Sequence, residues 1–300
     1  MPKQHLLLSI RELLASVMLR VVITGASGLL GRTLMSTLKN MEIIPLTSRQ
    51  CDITKYDEVA SVLKVAKPNV IIHCAAFTAV DDCEVEKEKA WSVNVTGSRN
   101  IAQVADDIGA KVIAISSDYV FNGKLNRPYN EYDIPDGGLN VYSKTKWEGE
   151  KQVQDNCRDY LIARTSWLYG SGGPSFLHTM LRLSRQKLPT LRVVNDQVGN
   201  PTSAESVARA LQAIIKYPEL TGVIHLTCEG EATWFEFAKK IFELRGESQL
   251  LVPCSTQEYP TRALRPRNSR LEKLVLKETG IFKMPTWTDA LRDFLSNEKI

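Results

Sequence analysis

Leu19-Arg20-Val21-Val22-Ile23-Thr24-Gly25-Ala26-Ser27-Gly28-Leu29-Leu30-Gly31 is the stretch on which the fold turns. Its first six residues are a continuous apolar, β-branched run, the pattern of a strand buried on both faces. Gly31–Lys39 then has helical character. A chain that passes from strand to helix in so few residues needs positions without Cβ. Backbone N–H groups can then approach an anion at the positive end of the helix. Gly31 further allows the helix to pack closely on the strand. The spacing is GxxGxxG rather than GxGxxG, so the reading rests on its position between a strand and a helix. Gly25, Ser27, Gly28, Leu29 and Leu30 are thus candidates to cradle a dinucleotide pyrophosphate.

Outward from this loop, strand and helix alternate. Glu42–Leu46 reads as a second strand and Asp57–Ala66 as a helix ending before Lys67–Pro68. Val70–Ala76 is a third apolar run, Lys87–Ile108 a long helix and Lys111–Ser116 a buried strand. This rhythm predicts an α/β fold, a Rossmann-type doubly wound parallel sheet whose ligands bind beyond the carboxyl ends of its strands. After a helix to about Gln154 and a strand at Tyr160–Thr165, the pattern loosens into Gly-, Pro- and Asn-rich loops. Ser203–Lys216 and Thr233–Arg245 read as helices, with a strand at Val223–Thr227 between them. We expect a cofactor-binding domain over 18–168 with 195–227 added back. A smaller interleaved C-terminal substrate lobe would take 169–194 and 228–300, and 1–17 would be an N-terminal extension.

A site that prefers NAD places an acid at the end of the second strand, where it binds the ribose hydroxyls. Here that position reads Leu46-Thr47-Ser48-Arg49, with a guanidinium and no acid. A 2′-phosphate would be welcome beside Arg49, so NADPH is favoured, with NADH possible. Asp52 is placed to accept from the adenine amino group, and Ile53, Ala75 and Ala76 are further candidates to line the cofactor.

Tyr142 and Lys146 stand four apart at the start of a helix and so share one face. An ammonium near a phenol favours phenolate and would lower its pKa toward the working range. The pair would make a general acid for a developing alkoxide. Ser116-Ser117-Asp118-Tyr119 ends a buried strand at the rim where substrate should sit, and Ser117 can donate to the same carbonyl oxygen.

The glycine turn, strand-end serine and YxxxK, in this order, resemble the extended short-chain dehydrogenase/reductase family. Within it the chain is most similar to the dTDP-4-dehydrorhamnose reductases, from about Leu19 to the end. Ala75–Asp81, Ser116–Phe121, Asn140–Lys146, Arg164–Trp167, Asn195–Thr202 and Arg265–Leu271 carry the likeness. The last three lie beyond the glycine loop, the strand-end serine and the YxxxK pair, and bear on substrate class. The resemblance implies hydride transfer from NADPH to C4 of dTDP-4-dehydro-L-rhamnose, giving dTDP-L-rhamnose, with Tyr142 as acid. Lys146 would also hold the nicotinamide ribose, and Ser117 would orient the ketone. Thr78, Val80, Asp118 and Tyr119 would line the sugar pocket. Trp167, Asn195, Gln197 and Arg270 are implied for the sugar and nucleotide ends, with the Trp167 indole as a flat wall offering one N–H to a hydroxyl. Some members dimerise through magnesium held by glutamates, including one in the first helix just after the glycine loop. Here Arg32-Thr33-Leu34 lacks a carboxylate, so no metal is expected and the state should be a monomer or weak homodimer. The other reading is a non-catalytic NADP-binding regulatory subunit resembling the methionine adenosyltransferase β-subunit. The intact SSDYVF and YSKTK segments point instead to catalysis.

Composition sets the remaining bounds. The charge of +4, with pI about 8.6, is too small and dispersed to argue for nucleic acid. Six cysteines with no CxxC pair, and four histidines that do not cluster with them, leave metal-ligand spacing absent. Scattered thiols suggest a reducing, cytoplasmic setting. No stretch reaches the roughly 18 apolar residues of a membrane span. His5–Leu19 is apolar but broken by Arg11 and Glu12, and reads as an amphipathic helix or an over-long gene start before Met18.

Overall fold

The computed structural model describes residues 18–186 and 189–297. The readings made of residues 1–17 lie outside the described residues. Among the described residues, six parallel strands form the main sheet: β1 (Leu19–Thr24), β2 (Met41–Leu46), β3 (Val70–His73), β4 (Lys111–Ser117), β5 (Tyr160–Thr165) and β6 (Gly222–His225). Their order is β2-β1-β3-β4-β5-β6, all in parallel register. The chain runs from β1 outward to β2 and then returns past β1 to β3. That reversal opens a crevice at the carboxyl ends of β1 and β3.

Side-chain alternation along β1 decides what covers each face. Val21 and Ile23 face α1 (Leu29–Thr37), where they pack with Leu30 and Leu34. Val22 faces α2 (Tyr56–Ala66) and α3 (Gly97–Ile108), among Leu63, Ile101 and Ala105. Helix α4 (Val141–Asn156) joins that second layer through Val153. All three β1 residues are fully buried, which explains an apolar run without polar alternation. The fold is the Rossmann-type α/β architecture that the alternating pattern predicts, with smaller sheets toward the C-terminus.

Three runs are shorter or less regular than the sequence suggests. The apolar runs after Val70 and Val223 stop being strand at His73 and His225, where the chain leaves the sheet. The helix expected over Lys87–Ile108 is interrupted: Ser92–Thr96 is a π-helical turn between Lys87–Trp91 and α3. Such turns re-aim side chains, and here the turn holds Asn94 buried against the site.

The smaller lobe has its own core, built by α5 (Phe176–Ser184), α7 (Trp234–Arg245) and α8 (Trp287–Asn297) around Leu177, Phe237, Ile241 and Leu291. Leu191–Val194 pairs with Leu251–Cys254, and Val198–Gly199 with Ala232–Thr233. Between these segments the chain returns to the main sheet: α6 (Ala204–Ile214) packs on the α1 face and β6 adds the edge strand. Leu276 and Met284 also reach that core.

Candidate active site

The glycine loop is shaped by contacts that leave no room for side chains. Gly25 has φ +65°, and a Cβ there would lie 2.7 Å from Ala75 N. A Cβ on Gly31 would lie 2.4 Å from Gly25 O. Gly28 caps α1 without a side-chain bond, and the first turn carries no acid. The N–H groups of that turn are therefore left to meet an anion. Arg32, read in the sequence only as part of a segment without a carboxylate, donates from Nε to Ser27 O at 2.8 Å and sets a cation beside the loop.

Two cavities meet here. One, of about 360 Å³, is walled by Gly28, Leu29, Leu30, Ser117, Tyr142 and Lys146 among others. The other, of about 270 Å³, is walled by Ser27, Thr47, Ser48, Asp52, Ile53 and Ala75. Gly25, Gly28, Cys74 and Ala76 belong to both walls, so the space runs from the β2 side across the loop to the β4 end. Ser116 Oγ, Asp118 Oδ2 and Thr165 Oγ1 are buried without hydrogen-bond partners, and all three residues line the first cavity. Buried polar atoms left unpaired are costly. Together with the Cβ-free cradle, they fit a long polar ligand such as a dinucleotide and its substrate. Asp52 Oδ1 accepts from Thr54 N and Oγ1 at 3.0 and 2.8 Å. Arg49 is exposed on the turn after β2, outside both walls.

At the β4 end the geometry comes from local caps. Asn140 accepts from Ser143 N at 2.8 Å and starts α4, which places Tyr142 in its first turn. Ser117 Oγ donates to Asp118 Oδ1 at 2.9 Å and accepts from Tyr119 N at 3.1 Å. Lys146 Nζ donates to Ile115 O at 2.8 Å. Tyr142 and Lys146 keep part of their surface open to the cavity, yet the protein around them desolvates both. Burial drives the Tyr142 phenol above its ordinary range, opposed by the Ser117 hydroxyl. The sequence reading had Lys146 lowering that phenol. The structure corrects it, because desolvation of the phenolate dominates and Lys146 is engaged by a backbone carbonyl. Burial likewise brings Lys146 down to about 8.

Asp118 is buried, and desolvation raises it to about 7 against the pull of the Ser269 and Ser117 hydroxyls. Ser269 is close enough to exert that pull, although Oδ2 makes no hydrogen bond of normal geometry. The Tyr119 ring packs edge-on against Tyr142 with centroids 6.0 Å apart. Thr78 is exposed at the cavity wall. Val80 begins the short helix Val80–Cys83, half-buried and outside that wall.

The residues expected at the far end of the substrate separate into three cases. Trp167 lines the first cavity and stacks on Trp234, with centroids 3.4 Å apart and planes 4° apart. Its Nε1 donates to Ser269 Oγ at 3.2 Å. The N–H expected for a sugar hydroxyl is therefore already spent, which corrects that part of the reading. Gln197 is buried, accepts from Trp234 Nε1 at 3.1 Å and donates to Thr256 Oγ1 at 3.0 Å. It lines a third cavity of about 440 Å³, with Phe176, Arg192, Trp234, Tyr259 and Arg265. The stacked indoles thus lie between the first cavity and the third. Asn195 and Arg270 lie outside both walls. Asn195 accepts from Thr233 Oγ1 at 2.7 Å, and Arg270 pairs with Glu231 at 2.8 Å and donates to Asn126 O at 2.8 Å.

Arg265 was missed as a candidate, although its segment was singled out. It forks onto Asp81 at 2.6 and 3.2 Å, and both line the third cavity. Asn94 was missed too: it bonds Phe77 N at 2.8 Å, Phe77 O at 3.1 Å and Thr145 Oγ1 at 3.0 Å, tying the loop after β3 to α4. An Asn inside an expected helix, in Asn94-Val95-Thr96-Gly97, was the available signal.

Comparison with known proteins agrees with this geometry. The chain is 36% identical over 293 residues to the dTDP-4-dehydrorhamnose reductase of Salmonella typhimurium, covering 93% of this chain and 97% of that one. It is also 36% identical over 276 residues to the dTDP-4-keto-6-deoxy-D-glucose reductase of Streptomyces niveus, covering 91% and 95%. The crystal structure of dTDP-4-dehydrorhamnose reductase from Bacillus anthracis in complex with NADP superposes with a TM-score of 0.91 at 37% identity, over 94% of this chain and all of that one. The RmlD substrate binding domain matches residues 19–300, and the chain belongs to that family of nucleotide-sugar reductases.

Proposed function

We propose that the protein is a reductase that uses NADPH to reduce C4 of dTDP-4-dehydro-L-rhamnose, giving dTDP-L-rhamnose. The observation that carries this is the meeting of Ser117, Tyr142 and Lys146 in one wall, with unpartnered buried polar atoms beside them. The two cavities that adjoin across the glycine loop suit NADPH, which would supply the hydride when bound. Gly25 and Gly28 leave backbone N–H groups facing its pyrophosphate, and Asp52 and Ile53 border the adenine end. Ser117 orients the ketone, and Tyr142, held protonated by burial, delivers the proton to O4. Lys146 holds the cofactor ribose. The third cavity, with aromatic walls and two arginines, suits the thymidine and diphosphate end. Reductases named for two different dTDP-sugars match this chain at the same 36% identity. The test is therefore a panel: purified protein with NADPH and several 4-keto sugar nucleotides, following loss of reduced-nicotinamide absorbance and identifying the product's C4 configuration. No oxidation with any dTDP-4-keto sugar would reject the proposal.

Cofactor choice gives a second test. Arg49 lies outside the cavity walls but is exposed on a turn whose neighbours Thr47 and Ser48 are in them. Its long side chain can reach a 2′-phosphate there. Arg49→Glu is expected to weaken NADPH by about tenfold, the loss of one charge-assisted bond, while NADH changes less. Equal changes for the two cofactors, measured by titration, would show that another residue reads the phosphate.

Trp167→Ala addresses the indole wall. Truncation removes the stack on Trp234 and the bond to Ser269, so a stability loss of about 3 kcal/mol is expected. If Trp167 also forms a wall for the sugar, affinity for the dTDP-sugar falls while NADPH affinity holds. A thermal melt beside two ligand titrations separates the effects, and unchanged sugar-nucleotide affinity would reduce Trp167 to a packing residue.

A further inference from the structure

The reaction proposed above makes no use of the charges buried behind the site. Helix α4 carries Tyr142, Lys146 and Glu150 at intervals of four residues, so the three share one face. Glu150 is 3% exposed, and Arg164 on β5 is 2% exposed. Arg164 forks onto the carboxylate, Nε to Oε1 at 2.9 Å and Nη2 to Oε2 at 2.7 Å. Its remaining arm, Nη1, lies 3.5 Å from His225 Nε2. His225 Nδ1 lies 2.8 Å from Glu272 O. A carbonyl only accepts, so the imidazole hydrogen sits on Nδ1 and Nε2 accepts from the guanidinium. Burial, reinforced by Arg164, brings His225 down to about 3 and keeps it neutral. The same helix is held at two further points. Asn94 bonds Thr145, and a Cβ on Gly149 would lie 2.4 Å from Asn94 O.

A buried ion pair is weak evidence for stability, since desolvation offsets its attraction. What this one does is place a fixed carboxylate one helical turn beyond Lys146. We propose that Glu150 is a positioning residue for Tyr142 and Lys146: clamped by Arg164, it fixes α4 on the sheet and holds a buried negative charge that favours the Lys146 ammonium. The inference rests on the reductase reading of Lys146. Glu150 itself lines none of the three cavities.

The titratable and charged groups around Lys146 belong to three elements, β3, α4 and β5. His73 and Cys74 stand at the end of β3, Tyr142 and Glu150 on its own helix, and Arg164 behind Glu150. His73 is neutral, held at about 3 by burial, and the Cys74 thiol is pushed up to about 12. Neither offers Lys146 a compensating charge at neutral pH. Burial lowers Lys146, and Glu150 is the leading influence in the other direction. Removing the carboxylate therefore moves the Lys146 titration further down.

The experiment follows Lys146 directly, by correlation NMR of its 13Cε and 15Nζ nuclei in lysine-labelled protein, with Lys146→Arg to assign the signal. Wild type is compared with Glu150→Gln and with Glu150→Gln/Arg164→Met, which also removes the guanidinium that the single variant leaves buried without its carboxylate, should that variant fold poorly. The Lys146 midpoint is expected to fall by at least about half a pH unit, and the alkaline limb of kcat to fall with it. A folded variant with the wild-type midpoint overturns the proposal, whatever its activity. A lowered midpoint in a protein whose wild type reduces no 4-keto sugar would instead sink the reductase reading and leave the Glu150–Lys146 coupling standing.

Discussion

Tyr142→Phe is expected to cut turnover by about 10²-fold or more, the usual contribution of a positioned general acid. The change removes one oxygen from a ring whose remaining contacts do not need it. Tyr119 still packs edge-on at 6.0 Å, and Asn140 still caps the helix. The stability change should therefore stay near that of one hydrogen bond, about 1 kcal/mol, and NADPH should bind as before. The argument depends on the phenol being protonated when substrate arrives, and burial supplies that condition by holding it above its ordinary range. The neighbouring Lys146, brought down to about 8, loses its charge first as pH rises. Activity should consequently decline on the alkaline side through Lys146 before the phenol ionises. Rate measurements across pH, with a cofactor titration of the variant, check both points. Turnover at the wild-type rate would remove Tyr142 from the chemistry.

The parts of this site that were legible in the sequence are those whose geometry is set within one turn or one loop. The strand-end serine and the Tyr142–Lys146 spacing are set by neighbours at most a few residues away, and the glycine loop is marked by its place between strand and helix, although Ala75 presses on Gly25 from β3's end. What escaped was set by contacts across the chain. Three arginines fall within Arg265–Arg270, and nothing local distinguishes the one that meets Asp81 from the one that meets Glu231. Trp167 was legible as an indole near the lobe boundary, but its partner Trp234 opens a helix 67 positions later. At the π-helical turn Ser92–Thr96, which interrupts regular helix, Asn94 serves both Phe77 and Thr145. Periodicity alone continues the helix straight through it. The raised phenol of Tyr142 belongs to the same class, since desolvation depends on everything packed around the site.

Gly31→Ala offers the second large effect, and local propensity gets its sign wrong. Gly31 lies inside α1, where alanine is worth about 1 kcal/mol more than glycine, so a helix considered alone would gain from the change. In the folded protein the added Cβ would lie 2.4 Å from Gly25 O and 2.8 Å from Ala26 Cα. Both are backbone atoms of the loop between β1 and α1, so relief requires the loop itself to move. Overpacking of this kind costs about 1–3 kcal/mol, and the displacement falls on the N–H groups proposed to meet the cofactor. NADPH affinity is expected to drop by about tenfold or more, equivalent to about 1.4 kcal/mol, together with a lower melting temperature. Gly28→Ala is the control. Its φ is −76°, and its Cβ would meet nothing nearer than Gly25 O at 3.2 Å. The loop can yield by the few tenths of an ångström that this requires, so the loss should be smaller. If the two alanines weaken NADPH equally, close approach of α1 to the loop is not what demands glycine at 31. If Gly31→Ala alone is severe, the helix is held against the strand at the distance its missing side chain permits, and the anion cradle exists because of that contact.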